Sequence, residues 1–170
     1  MEEPADNRYL LKFILVSSLS FFIGSVHGVL QMVPTIRAWL DMIGSPYGGP
    51  GHMIDPLAHA HINLIGGVMI LSMAVTYYLL PKFSNQPIYS RRLAEHSFWW
   101  TTIGALSFYL ILMVFGVIEG MMLLERSPEL DHVHKIYGAI VSVAASVMGI
   151  GLWLYLANII LTIKSIYKRS

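Results

Sequence analysis

Two histidines one residue apart, in the run His59-Ala60-His61-Ile62-Asn63, open a long apolar stretch that ends at Pro81. Ionisable side chains at membrane depth are expensive and mark functional positions. Imidazole is also the side chain that binds haem iron through a neutral ring nitrogen. Successive helical residues turn by roughly 100°, so side chains two positions apart point about 200° away from each other. His59 shares a face with Asn63 and Gly66, and His61 shares one with Ile65, Val68 and Ser72. If both bind metal, they serve two different sites. His27, His134 and the carboxylate Glu119 complete the set of candidate cofactor ligands. His52, His96 and His132 read as interfacial residues hydrogen-bonded to water or headgroups.

The elements that must position these groups follow from composition. Of 170 residues, 55% are apolar and only 12% charged, with a mean hydropathy of +0.61, a profile of integral membrane proteins. Four stretches, about 10–34, 57–80, 98–124 and 136–163, are long enough to cross a hydrocarbon core as helix. Spanning β-barrels would show short alternating segments instead. The expected fold is therefore all-α, a four-helix transmembrane bundle forming a single domain over residues 1–170. The absence of cysteine excludes disulfides, thiolate metal sites and CxxCH attachment, so any haem is held non-covalently. The net charge of +1 says little by itself, and no nucleic-acid partner is expected. The acidic start, Met1-Glu2-Glu3-Pro4, lacks a basic n-region, and the first span is expected to be retained.

Eight of the eleven basic residues lie in the N-terminal flank, the middle loop and the C-terminal tail. By the positive-inside rule, both termini face the cytoplasm. The Asp41–Asp55 loop then faces outward, and its stretch Asp41–Gly51, rich in glycine and proline, is expected to be irregular. That topology puts His27, His59, His61, His132, His134 and Glu119 in one outer layer. In the first span Ser17, Ser20, Gly24, His27 and Gln31 form one stripe, the small and polar kind that faces other helices in a membrane. In the last span His134, Gly138, Ser142, Ala145 and Gly149 do the same. Such stripes either let helices approach closely or leave room for a flat macrocycle. Trp99, Trp100 and Tyr89 fit an aromatic belt at the inner interface, and the ten methionines read as packing residues.

The run His59-Ala60-His61-Ile62-Asn63-Leu64-Ile65-Gly66, continuing to Tyr77-Tyr78-Leu79-Leu80-Pro81-Lys82, resembles the histidine-bearing span of haem-copper oxidase catalytic subunits. The nitric oxide reductase and C-type oxidase branch is the nearest likeness. Gly28-Val29-Leu30-Gln31, Val33-Pro34, Pro87-Ile88-Tyr89-Ser90, Leu93-Ala94, His96-Ser97-Phe98-Trp99 and Gly116-Val117-Ile118-Glu119-Gly120-Met121-Met122 carry the resemblance along nearly the whole chain. It corresponds to the last four of the family's twelve helices. The resemblance implies that His59 is the proximal ligand of the gas-binding haem and that His61 ligates the low-spin haem on the other side of the helix. It also implies that the copper-binding histidines, and the other axial ligand of the low-spin haem, come from helices that precede these four. His27 and Glu119 stand where the family pattern suggests glutamine-like residues.

The sequence thus predicts a b-type haem protein of the cell inner membrane, working in electron transfer as a homodimer embedded in lipid, with quinol or cytochrome c as an unidentified redox partner. Haem b is the expected cofactor. The expected iron ligands are drawn from His27, His59, His61 and His134, with Glu119 orienting an imidazole. A copper centre is expected to be lacking, and with it oxygen or nitric oxide reduction by this chain alone. The alternatives are a non-catalytic subunit of a split oxidase or nitric oxide reductase, or a haem-based gas sensor.

Overall fold

The computed structural model describes residues 7–169, with the side chain of Arg169 outside the description. After a short 3-10 turn, α1 runs Leu11–Gln31, α2 Pro34–Met42, α3 Gly49–Ser84, α4 Arg91–Leu124 and α5 Leu130–Arg169. Among the described residues there is no strand, and four helices (α1 with its 3-10 turn, α3, α4 and α5) are long and apolar enough to cross a membrane. The architecture is an all-α membrane bundle.

Local chemistry sets the boundaries. Asn85 adopts a left-handed conformation (φ 50°) and ends α3, a role asparagine tolerates better than most residues. The Ser90 hydroxyl caps α4 by accepting from the Leu93 amide at 3.3 Å. The segment Asp41–Gly51 is more ordered than its glycine and proline content suggests. Pro34 starts α2 at a first-turn position, and Pro50 does so for α3, where the missing N–H costs nothing. In consequence α3 begins at Gly49, upstream of the expected start near 57.

Within α3 the backbone is irregular around the histidines. Asp55 leaves the helical region (φ −130°, ψ 115°), because the ring of Pro56 disfavours a helical residue before it. Further along, Ile62–Met69 takes the wider π register, a feature frequent at functional sites.

Lipid is as apolar as leucine, so helix association here relies on close approach and polar contacts. α1 meets α3 along the stripe read from sequence: Ser17, Ser20, Gly24, His27 and Gln31 are all buried, and the Ser17 hydroxyl donates to the Gly67 carbonyl at 2.9 Å. α4 and α5 form an antiparallel pair whose backbones nearly touch. A Cβ on Gly104 would lie 2.4 Å from the Met148 amide nitrogen, and one on Gly151 equally near that of Thr101. Phe13, Ile70, Met73, Tyr77 and Phe98 fill the core toward the chain termini.

Candidate functional site

The histidine-bearing turn of α3 has two faces, and the structure treats them differently. On the first, His59 lies against α1. The ring edge of His59 is so near Gly28 that a Cβ there would come 2.8 Å from Cε1, and a Cβ on Gly24 would come 2.2 Å from Asn63. Asn63 in turn donates to the His59 carbonyl at 2.8 Å. His27 is 5% exposed, and its ring meets that of His59 edge-on, centroids 5.5 Å apart. The Gln31 carboxamide holds His27 Nε2 at 2.9 Å, and whichever way that amide is turned the nitrogen is engaged. The Tyr109 hydroxyl stands 3.5 Å from Nδ1, at the outer limit of a hydrogen bond. His59 Nδ1 is buried with no hydrogen-bond partner. Beside this layer, between α1 and α4, a cavity of about 200 Å³ opens among Ile23, Val26, Leu30 and Met113, with His27 and Tyr109 at its polar end.

On the second face, His61 is half-buried. Its Nδ1 lies 2.9 Å from the Leu57 carbonyl oxygen. A carbonyl can only accept, so Nδ1 carries the proton, and in the neutral ring Nε2 keeps its lone pair. The ring leans on Phe108 of α4, centroids 4.6 Å apart and planes 38° apart. Around this contact Met53, Ala58 and Leu112 form an apolar cluster with Leu57, Tyr109, Phe115 and Tyr137 packed on it.

His134 makes a third arrangement. Its Nδ1 donates to Glu119 Oε2 at 2.8 Å, with the imidazole 59% exposed and the carboxylate 2% exposed. Glu119 Oε1 is buried without a partner. The pairing partner of His61 on α4 is Phe108 and that of His134 is Glu119, eleven residues further along the same helix. At a rise of roughly 1.5 Å per residue this separates them by about 16 Å in depth. The single outer histidine layer expected from sequence is thus two levels: His27, His59 and His61 at one, His134 and Glu119 at the other. The depth of α5 relative to α4 depends on their pairing register, which span lengths alone do not fix.

The outer hairpin is pinned by Arg37. Its guanidinium donates to Asp41 at 2.6 Å and 2.9 Å, to Asp55 at 2.6 Å and to Ser45 at 2.8 Å. The bonds from Asp41 and then Asp55 raise its already high pKa, so it stays cationic. This network ties α2 to the kink of α3 just before the histidines. His52 is bound to the Pro46 carbonyl at 2.5 Å and takes no part in the site. Among the described residues no three His, Asp or Glu side chains come together to hold an ion.

Sequence comparison bears on what such a constellation belongs to. Residues 4–147 match the family model described as cytochrome C and quinol oxidase polypeptide I. This chain belongs to that family. The cbb3-type cytochrome c oxidase subunit CcoN1 of Stutzerimonas stutzeri is 26% identical over 115 residues, 66% of this chain and 22% of that protein. Cytochrome c oxidase subunit 1 of Rhodobacter capsulatus is 28% identical over 109 residues, 55% and 20% of the two chains. The chain therefore spans about a fifth of the length of the curated relatives it matches. As a member of the oxidase polypeptide I family with four membrane-capable helices, it is a multi-pass membrane protein.

Four features that shape the site were not singled out from sequence. Tyr109 and Phe108 carry no pattern that separates them from lipid-facing aromatics on a span apolar all round. The Leu57 carbonyl is a main-chain group, invisible to any reading of side chains. The Arg37–Asp41 pair did carry a signal, the i,i+4 spacing on α2.

Proposed function

We propose that this chain is a membrane haem protein of electron transfer, with haem b held against His61 on the side of α3 turned away from α1. The observation that supports this most is the state of the His61 ring. Its proton is fixed on Nδ1 by a carbonyl, its Nε2 lone pair is unengaged, and the half-buried ring is backed by an aromatic one. A second hydrogen bond of this kind is how proteins orient metal-binding imidazoles.

The other face fits the macrocycle poorly. The contacts of Gly24 with Asn63 and of Gly28 with His59 leave no slot for a flat ring between α1 and α3. His27 Nε2 is already held by Gln31. In this reading His27 organises the α1–α3 layer, His59 remains available only through Nε2, and Glu119 keeps His134 pointed outward at a separate level. When bound at His61, haem supplies a one-electron couple whose potential the protein sets through ligation, hydrogen bonds and burial. The chain's own residues hold the imidazole plane, exclude water with the Met53–Leu112 cluster and fix the kink through Arg37.

The reading includes a homodimer in the inner membrane, both termini cytoplasmic, quinol or cytochrome c as redox partner, no copper centre, and no reduction of oxygen or nitric oxide by the chain alone. Orientation is checked with single cysteines at two exposed positions. In intact cells Tyr47→Cys should react with an impermeant thiol reagent and Phe83→Cys should not. Ser45, at 7% exposure, is too buried for that purpose.

One observation favours a second reading. The relatives are about five times as long as the stretch matched, and α5 is the least covered span, 11% of its most apolar window buried against 28–33% for the others. A non-catalytic subunit docking onto a larger oxidase or reductase would cover that helix. A pyridine haemochrome assay with protein quantitation on the purified chain decides between them. About one haem b per chain is expected, whereas a haem-free chain that acquires haem only with a partner would favour the second reading.

A further inference from the structure

We infer that Phe108 is a positioning residue for His61: with the Leu57 carbonyl it fixes both the tautomer and the plane of that imidazole before any metal arrives. The inference rests on the haem reading only for its spectroscopic half.

The two contacts act on different degrees of freedom. A hydrogen bond at Nδ1 fixes which nitrogen is protonated and restrains the ring near the Leu57 oxygen, 2.9 Å away. Because hydrogen bonds tolerate a spread of angles, it leaves the ring some freedom of tilt about its Cβ–Cγ bond. Phe108 removes that freedom, since at 4.6 Å between centroids and a 38° tilt the phenyl face limits rotation on one side. Phe108 is held in turn: it packs on the cluster of Met53, Ala58 and Leu112, whose members are 5%, 0% and 0% exposed.

Its neighbour on α3 has neither device. His59 Nδ1 is buried without a partner, its ring touches Gly28 edge-on, and the nearest aromatic group is His27, which Gln31 holds. Leu57 lies two residues past the non-helical Asp55, and its carbonyl meets a side chain four residues on.

The orientation of an axial imidazole sets the splitting of the iron orbitals and contributes to the potential, which proteins tune through the groups around the ligand. Phe108→Leu removes the aromatic face while keeping apolar volume. In this chain it should leave the reduced haem bands present. It should shift the g values of the ferric haem electron paramagnetic resonance signal, and with them the midpoint potential. Phe108→Tyr, which restores the ring, should return both to the wild-type values. Unchanged g values and potential in Phe108→Leu, or no rescue by Phe108→Tyr, would overturn the assignment.

A measurement without haem keeps the inference testable if the haem reading fails or if Phe108→Leu does not fold. Nitrogen-15 spectra of histidine-labelled wild-type chain in nanodiscs should show His61 in the Nδ1–H tautomer in the absence of haem. An Nε2–H tautomer at His61 would refute the pre-organisation while leaving haem binding itself to be judged by the haemochrome assay.

Discussion

The two faces of the turn that carries His59 and His61 differ in how they are finished. The His59 face is closed by this chain's own first helix, glycine against ring and glycine against amide, with His27 and Gln31 hydrogen-bonded behind it. The His61 face is floored by an aromatic ring and a carbonyl, and the imidazole presents an unengaged nitrogen. In the proposed reading the same helix spends one histidine on packing and keeps the other for a ligand. Adjacent residues of the same type, two positions apart, reach these different fates because α1 supplies small residues to one side only.

The comparison can be broken first by filling space. Gly28→Leu places a side chain where a Cβ already comes 2.8 Å from His59, so α1 must move. Overpacking of this kind costs about 1–3 kcal/mol or more, and thermal unfolding in detergent should register it. The matching change on α5, Gly138→Leu, meets nothing within 4 Å and should stay within about 0.5 kcal/mol of wild type. Equal losses from the two substitutions would mean that Gly28 is packed no more tightly than a glycine bordering open space, and the closure of the His59 face by α1 would lose its support.

A smaller effect is expected at the outer level. His134→Ala leaves Glu119 buried with both oxygens unpaired, at a cost of about 1–3 kcal/mol. Replacing Glu119 by leucine in the same background should restore most of that loss, because the buried acceptor is then gone. If His134→Ala alone is neutral, Glu119 already has another partner and the separate level loses its anchor.

The smallest effect concerns the closed face. Gln31→Leu removes the group that holds His27 Nε2 and should destabilise the chain by about 0.5–1.5 kcal/mol, with no change in haem spectrum. A spectral change in that variant would bring His27 back as a group acting on the iron.

Much of this was legible in the sequence. The stripe Ser17–Ser20–Gly24–His27–Gln31, read from a 3.6-residue period, is the buried face of α1, because small and polar residues have only other helices to face in lipid. The family was legible in the histidine run and its flanking loops. The depth of His134 was not, since it depends on the register in which Gly104 and Gly151 let α4 and α5 close. The helical α2, the early start of α3 and the burial of Ser45 were not either. Gly44, Pro46, Gly48 and Pro50 read as breakers, while the network around Arg37 that orders them joins residues far apart in the chain. The stripe on α5 kept its alternatives: Gly138 and Gly149 border open space, not another helix of this chain.

The most direct test of the account compares haem content in His61→Ala and His27→Leu, purified in parallel and assayed by pyridine haemochrome against protein. The account predicts that His61→Ala loses the haem and that His27→Leu retains it at the wild-type ratio. Retention in His61→Ala together with loss in His27→Leu would contradict it, and would place the iron on the face that α1 closes.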